Sequence, residues 1–277
     1  MASWTTPKNP ISPIWYAFCR IGNFSFGVSH EDLEGYFYMN LILLSEEDFI
    51  NTHAYTNLAK ITGRRLAHVR TVHRAKVGDT LRVGVINGKM GTGKIIRLDA
   101  KALILQVDVF QPPPPPLDVT LILALPRPKM LKRILMTISS MGVKYMVLCH
   151  TCRVEKSFWQ SPILRKKTLD EYLKLGLEQA VDTVLPEIVL RKRFKPFVED
   201  ELPLLIQGCQ ALAAHPAASE SCPCHAGYPV TLAIGPEGGW VPYEIEKLLQ
   251  CGFQAVHMGE RILRVETAVT ALLARFS

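Results

Sequence analysis

Ile234-Gly235-Pro236-Glu237-Gly238-Gly239 closes an apolar run from residue 230, and Met258-Gly259-Glu260-Arg261-Ile262-Leu263-Arg264-Val265-Glu266-Thr267-Ala268 closes another from residue 255. Each stretch sets glycine between a strand pattern and a helix pattern. Glycine has no Cβ, so such loops bring bare backbone amides against a ligand, and helix starts add unpaired N–H groups. Two of them together suit a flat heterocycle with a polar tail, that is, a nucleotide-like ligand. The first loop lacks the three-glycine spacing of dinucleotide-binding turns and the Gly-Lys-Ser/Thr ending of phosphate loops, so neither NAD nor ATP is indicated. Alone it would serve equally as a capped turn; the pairing with the second loop is what points to a ligand.

Outward from these loops, strands and helices alternate. Residues 119–125, 146–149, 211–214, 230–234 and 255–258 read as strands, and Leu131, Ile134, Leu135 and Ile138 fall on one face of a helix. Further helices are expected over 169–179, from Pro242 to Gln250 with Gly252 as the stop, and over 265–275. This alternation predicts an α/β domain over 119–277 with a parallel sheet covered by helices. Upstream, Gln111 precedes five consecutive prolines, Pro112 to Pro116, which favour a stiff extended conformation and mark 111–118 as a linker. Before it, strands at 80–86, 94–98 and 102–109 surround Asn87-Gly88, a tight-hairpin dipeptide, and predict a small barrel-like β domain over 39–110. Residues 39–44 read as its first strand. Residues 1–38 form an extension to which no function is assigned.

The 277 residues and 48% hydrophobic content suffice for two packed cores. A formal charge of +7 and a pI near 9.0 favour a polyanionic partner. Seven irregularly spaced cysteines do not resemble a secreted disulfide framework, so a reducing cytoplasm is expected. No segment approaches the 18 apolar residues of a membrane span. Cys149-His150-Thr151-Cys152 and Cys222-Pro223-Cys224-His225 carry zinc-ligand residue types at poor spacing, and no metal is expected.

The two loops, and above all Arg261-Ile262-Leu263-Arg264-Val265-Glu266-Thr267-Ala268, resemble the RsmE family of SPOUT methyltransferases. The resemblance runs over roughly residues 39–277, includes Lys76-Val77-Gly78-Asp79, and is strongest from residue 230 onward. It implies a PUA-like N-terminal β-barrel, a trefoil-knotted C-terminal domain, a homodimer with the donor pocket near its interface, and S-adenosylmethionine as donor. The implied reaction is methylation of N3 of a uridine in 16S ribosomal RNA of the small ribosomal subunit.

That nitrogen carries a proton and lies on the pairing edge of the base. An enzyme must therefore expose the base, assist loss of the proton and align the nitrogen with the methyl group. Arg264 is the preferred functional side chain, either on the substrate or on the cofactor carboxylate; its alternative is a surface ion pair. Glu237 and Glu266 are the candidate acids, each equally suited to satisfying amides at a helix start. The resemblance assigns Gly235, Pro236, Glu237, Gly238 and Gly259 to the cofactor loops, Ile262 and Leu263 to packing on adenine, Met258 to the pocket wall and Thr267 to the methionine portion.

Lys60, Arg64, Arg65, Arg70, Arg74 and Lys76, with His68 and His73, fall in a stretch without acidic residues, where Leu66, Val69 and Val72 can face inward. Such a surface would hold RNA through its phosphates. Lys129 and Arg133, with Arg127 and Lys132, could extend it, and Arg191-Lys192-Arg193 with Lys195 form a further basic cluster. One departure stands out. Where the family reads Glu-Gln-x-Gly-Arg-x-Arg-x-Pro, this chain has Glu178-Gln179-Ala180-Val181-Asp182-Thr183-Val184-Leu185-Pro186. Both arginines are absent and Asp182 would repel phosphate, which leaves open a different RNA or nucleotide, or a non-catalytic RNA-binding or ribosome-assembly protein of the same fold.

Overall fold

In the computed structural model the described residues are 41–52, 55–224 and 227–277. The readings made for 1–38, for Met39 and Asn40, for the Val72 side chain and for His225 lie outside them. The strands are β1 (Ile42–Leu44), β2 (Phe49–Thr52), β3 (Tyr55–Ile61), β4 (Thr80–Val85), β5 (Met90–Leu98), β6 (Leu103–Gln111), β7 (Leu117–Ala124), β8 (Val143–Cys149), β9 (Glu187–Arg191), β10 (Gln210–Ala214), β11 (Glu220–Ser221), β12 (Val230–Ile234) and β13 (Gln254–His257). The helices are α1 (Gly63–His68), α2 (Pro128–Ser140), α3 (Lys166–Ala180), α4 (Phe194–Pro196), α5 (Leu202–Leu205), α6 (Pro242–Gln250) and α7 (Val265–Leu273).

β7 to β13 form a seven-stranded sheet in the order β11-β13-β10-β12-β7-β8-β9, and every neighbouring pair is parallel. All five residues of β12 are buried, as are Leu121 to Ala124 of β7. Continuous apolar runs are what a sheet covered on both faces requires. α2 buries Leu131, Ile134, Leu135 and Ile138 and starts on Pro128, whose missing N–H would have no helical partner there. α3 lies against it closely enough that a Cβ on Gly176 would stand 2.4 Å from the Met136 carbonyl oxygen. Ser139 and Ser140 donate across the contact to the Leu173 and Gly176 carbonyls, at 2.8 and 3.1 Å.

The second sheet, β1-β4-β5-β6-β3-β2, is antiparallel except between β1 and β4. It closes over Leu44, Ile61, Leu66, Val83, Ile95, Leu103 and Leu105. Asn87, with φ of 58°, turns β4 into β5, and the Gly88 amide donates to Val85 at 2.8 Å. β5 starts at Met90, earlier than the pattern predicts, because Gly91 and Gly93 dilute the strand signal that its pairing with β4 supplies. β2, β3 and β9 were not expected. These short segments take strand form from the neighbours they pair with.

The two sheets belong to one compact unit, Tyr38–Ser277, and the segment after α3 fastens them. α3 ends on Val181 in the left-handed region, φ 58°. Thr183 Oγ1 then donates to the Gly88 carbonyl at 2.6 Å, Asn87 donates its amide to Thr183 at 2.8 Å, and the Leu185 amide donates to Asn87 Oδ1 at 2.9 Å. Asp182, 2% exposed, accepts from Lys144, which also donates to the Val184 carbonyl at 2.9 Å. This corrects the expectation of a carboxylate repelling phosphate. Asp182 and Val184, standing where the family pattern has arginines, are turned into a latch between the sheets, because the carboxylate finds a partly buried ammonium and a backbone amide there.

Candidate active site

Beyond the carboxyl ends of β7, β10, β12 and β13 lies a cleft of about 900 Å³, a size typical of small-molecule sites. Open parallel sheets hold ligands at that end, where the strand order changes direction. β7 leads to Arg127 and Lys129, β10 to His215 and Pro216, β12 to Gly235–Gly239, and β13 to Met258–Arg264.

The first glycine loop is held from inside. Trp240 is buried and donates its indole N–H to the Ala214 carbonyl at 3.2 Å, tying the loop to the end of β10. A Cβ on Gly235 would meet that ring at 3.2 Å, so glycine is what lets the backbone lie flat on it. Gly239 has φ of 74° and turns the chain into α6. Glu244, 2% exposed, receives the Val241 amide at 3.0 Å on one oxygen and the Cys152 amide at 2.6 Å on the other. One buried carboxylate thus fixes both the start of α6 and the loop after β8. Arg153, from that loop, donates to the Gly238 carbonyl and lines the cleft.

The second loop turns at Gly259, whose φ of 102° suits glycine and whose amide donates to His257 Nδ1 at 2.9 Å. Met258, Ile262 and Leu263 give it an apolar wall, with Ile262 85% exposed. Arg264 is the N-cap of α7; it is exposed, lines the cleft and makes no ion pair among the described residues. Glu266, half-buried in the first turn of α7, lines the same space. The mouth carries Arg127, Lys129, Arg153, Arg261 and Arg264 against Glu237 and Glu266, and so presents a positive field.

Of the expected site residues, Gly235, Pro236, Glu237, Gly238, Met258, Gly259, Ile262, Leu263, Arg264 and Glu266 converge on the cleft. Thr267 does not: it is exposed on α7, facing away, because the helical turn that aims Arg264 and Ala268 inward rotates residue 267 outward. Glu237 Oε1 accepts the Arg127 amide at 3.1 Å, so its carboxylate satisfies the start of α2. Lys129 lines the cleft, whereas Arg133, one turn along α2, is exposed outside it.

Arg70, Arg74 and Lys76 are exposed near α1. Arg64 pairs with Glu178, both carboxylate oxygens at 2.8 Å. Arg65 is a correction: its guanidinium is half-buried and turned inward, with three of its five N–H groups on the Asp48 oxygens at 2.7 Å and the Leu43 carbonyl at 2.6 Å, and its charge is matched by Asp48. Glu178 lies at the end of α3, which runs back from β8 before parallel β9 begins, so Arg64 stands at the end of the sheet opposite the cleft. Arg153, Trp240 and Glu244 were missed as site residues. Glu244 had a usable signal, an acid three residues after a helix start, but Arg153 had none because its loop is joined to the cleft only by folding.

Residues 113–277 match the family described as an RNA methyltransferase domain, which fixes the class of protein. The chain is 30% identical over 243 residues to ribosomal RNA small subunit methyltransferase E of Treponema pallidum, covering 85% of this chain and 90% of that protein. It belongs to the ribosomal RNA small subunit methyltransferase E family. The fold is likewise that of the enzyme of this name from Neisseria gonorrhoeae, solved bound to S-adenosyl methionine, with TM-score 0.64, 19% identity, and 86% and 96% of the two chains covered. A methyltransferase of Legionella pneumophila, solved with the same cofactor, matches with TM-score 0.65 and 21% identity over 85% of this chain and 96% of that one.

Proposed function

We propose that the protein transfers a methyl group from S-adenosylmethionine to N3 of a uridine in 16S ribosomal RNA. The observation that carries this reading is the convergence of both glycine loops and Arg264 on one cleft at the carboxyl end of a parallel sheet. The residues present fit the cofactor. Gly235 and Gly259 supply a backbone cradle that side chains would fill or strain, and Met258, Ile262 and Leu263 supply an apolar surface for adenine. The relatives of known structure, described with the same cofactor bound, add support.

When bound, S-adenosylmethionine supplies an electrophilic methyl group. This chain's residues supply the rest. The Arg264 guanidinium, free of ion pairs among the described residues, stabilises the negative charge that develops on uracil oxygens as N3 loses its proton. Glu266, at the cleft and without the amide partner that occupies Glu237, is the better placed proton acceptor. Arg127, Lys129, Arg153 and Arg261 hold the strand at the mouth by its phosphates, and Arg64, Arg70, Arg74 and Lys76 form a second basic surface. Arg65 drops out of that set.

We further assign residues 39–110 to a PUA-like barrel, 111–118 to a linker and 119–277 to a SPOUT domain with a trefoil knot. α7 packs on both α2 and β12, the return path such a knot takes. A homodimer covering the exposed Ile262 fits the same architecture. The expected cellular site is the cytoplasm; no helix among the described residues is long and apolar enough to cross a membrane. A second reading keeps the enzyme class and changes the nucleotide, because Asp182 and Val184 serve the latch where the family pattern has arginines.

The test is methyl transfer from labelled S-adenosylmethionine to small ribosomal subunits from cells lacking the protein, with the modified nucleoside identified by mass spectrometry. The expected product is 3-methyluridine in 16S RNA. Label on another nucleotide would favour the second reading, and cofactor binding without transfer would leave a non-catalytic RNA-binding protein.

A further inference from the structure

Trp159 lies in the short turn Lys156–Gln160 that follows β8. Its indole N–H donates to His150 Nδ1 at 2.9 Å, and the two rings meet edge-on with centroids 6.1 Å apart. A nitrogen that accepts this bond carries no proton, so the imidazole proton sits on Nε2. Lys192 Nζ stands 6.0 Å from the centre of the Trp159 ring. Trp159 is half-buried, packed in part on the core of the parallel-sheet domain, and Lys192, itself exposed, stands over its ring as a flexible cation. Arg191 is committed to Glu201 at 2.6 Å, whereas Arg193 is exposed and makes no ion pair among the described residues.

Two chain paths set this cluster beside the cleft. Arg153, which lines the cleft, is three residues from His150, at most about 11 Å along the chain. From the other side, Phe194 follows Lys192 by two residues and meets the ring of Trp240, a cleft residue, at 6.1 Å.

We propose that Trp159, His150 and Lys192 form a nucleobase shelf for an unpaired residue of the RNA strand flanking the one to be modified, an inference that rests on the RNA reading above. An aromatic face with cations around it is what single-stranded nucleic acid uses: the base stacks, and Lys192 swings to the adjoining phosphate. Bases within a duplex are already stacked, so the partner is a loop or an open strand.

The experiment measures binding of a fluorescent, uridine-containing single-stranded oligoribonucleotide to the full-length protein at several salt concentrations, alongside S-adenosylmethionine affinity and methyl transfer to small subunits. Trp159→Ala is expected to weaken the oligonucleotide by about 5- to 150-fold with cofactor affinity unchanged. Trp159→Phe, which keeps a ring and removes the bond to His150, is expected to retain most of the affinity. Lys192→Ala is expected to lower the salt slope by about 0.7. Binding by Trp159→Ala equal to wild type, or an equal loss in Trp159→Phe, would overturn the shelf. If Trp159→Ala melts early, Trp159→Phe and Lys192→Ala decide the matter: retained affinity in the first together with a lowered salt slope in the second keeps the shelf, and an unchanged slope in Lys192→Ala overturns it. Trp159-dependent binding without methyl transfer to any RNA would keep the shelf and remove the enzymatic reading; transfer with unchanged Trp159→Ala binding would remove the shelf alone.

Discussion

Lys144 and Asp182 form an ion pair inside the protein, between the start of β8 and the segment that leaves α3. The carboxylate also receives the Val184 amide at 3.0 Å. Removing Asp182 leaves the partly exposed Lys144 ammonium and the Val184 amide without their acceptor, a smaller loss than stranding a fully buried charge. Asp182→Ala is therefore expected to lower unfolding free energy by about 1–3 kcal/mol in urea titration. Asp182→Arg, which restores the family's residue type, is expected to destabilise at least as much, by setting a second cation beside Lys144, and to leave RNA affinity no higher. Tighter RNA binding by a folded Asp182→Arg protein would show that the position faces RNA after all.

Arg264→Ala is expected to reduce methyl transfer by about 10²–10³-fold, as for loss of a donor that stabilises developing charge. Its melting temperature should stay at the wild-type value, because the side chain is exposed and makes no ion pair among the described residues. Wild-type turnover in a single-turnover assay would remove Arg264 from the chemistry.

Gly235→Ala tests the cradle. The new methyl would press on Trp240 at 3.2 Å, and that ring is held by its bond to Ala214 and cannot retreat. Overpacking of this kind costs about 1–3 kcal/mol. The expected result is weaker S-adenosylmethionine binding by calorimetry together with a modest loss of stability; unchanged cofactor affinity would place the ligand away from Gly235.

Asp48 and Arg65 give an acid-range signature. Burial pushes the Asp48 carboxyl up, but hydrogen bonds from Arg65 and Ser45 and the Arg65 charge outweigh it and hold the group below its ordinary 3.8. A carboxyl whose folded pKa is depressed contributes stability above its unfolded pKa, and that contribution is lost as pH falls through the folded value. Stability should thus fall more steeply below about pH 4 in the wild type than in Asp48→Asn. Parallel acid arms in the two unfolding curves would count against the pair.

Thiol reactivity separates two near neighbours at the end of β8. Burial pushes the Cys149 thiol up to about 12, with the nearby Glu244 charge adding to the effect, whereas Cys152 is exposed. At neutral pH iodoacetamide should label Cys152 and spare Cys149 in the native protein, as peptide mapping would show. Labelling of Cys149 at the rate of Cys152 would mean that β8 opens far more readily than its packing implies.

Local pattern sufficed for the elements whose chemistry is local. The apolar runs of β7 and β12, the single buried face of α2, the Asn87-Gly88 turn and the two glycine loops follow from side-chain period and backbone freedom, which neighbours in sequence determine. The loop pair and the Arg261 to Ala268 run also carried the family, since they are contiguous residues.

Tertiary structure decided whatever depends on partners distant in sequence. β2, β3 and β9 are strands because of the strands they pair with. Arg65 looked like an RNA contact until Asp48 turned its guanidinium inward, and Asp182 looked like a surface charge until burial set it against Lys144. Arg153 reached the cleft only through a loop that Glu244 pins from 92 residues away. The sequence determined which groups the chain owns and what each prefers locally; folding alone decided which charges neutralise one another and which remain free for a ligand, because electrostatic pairing depends on distance in space and on burial.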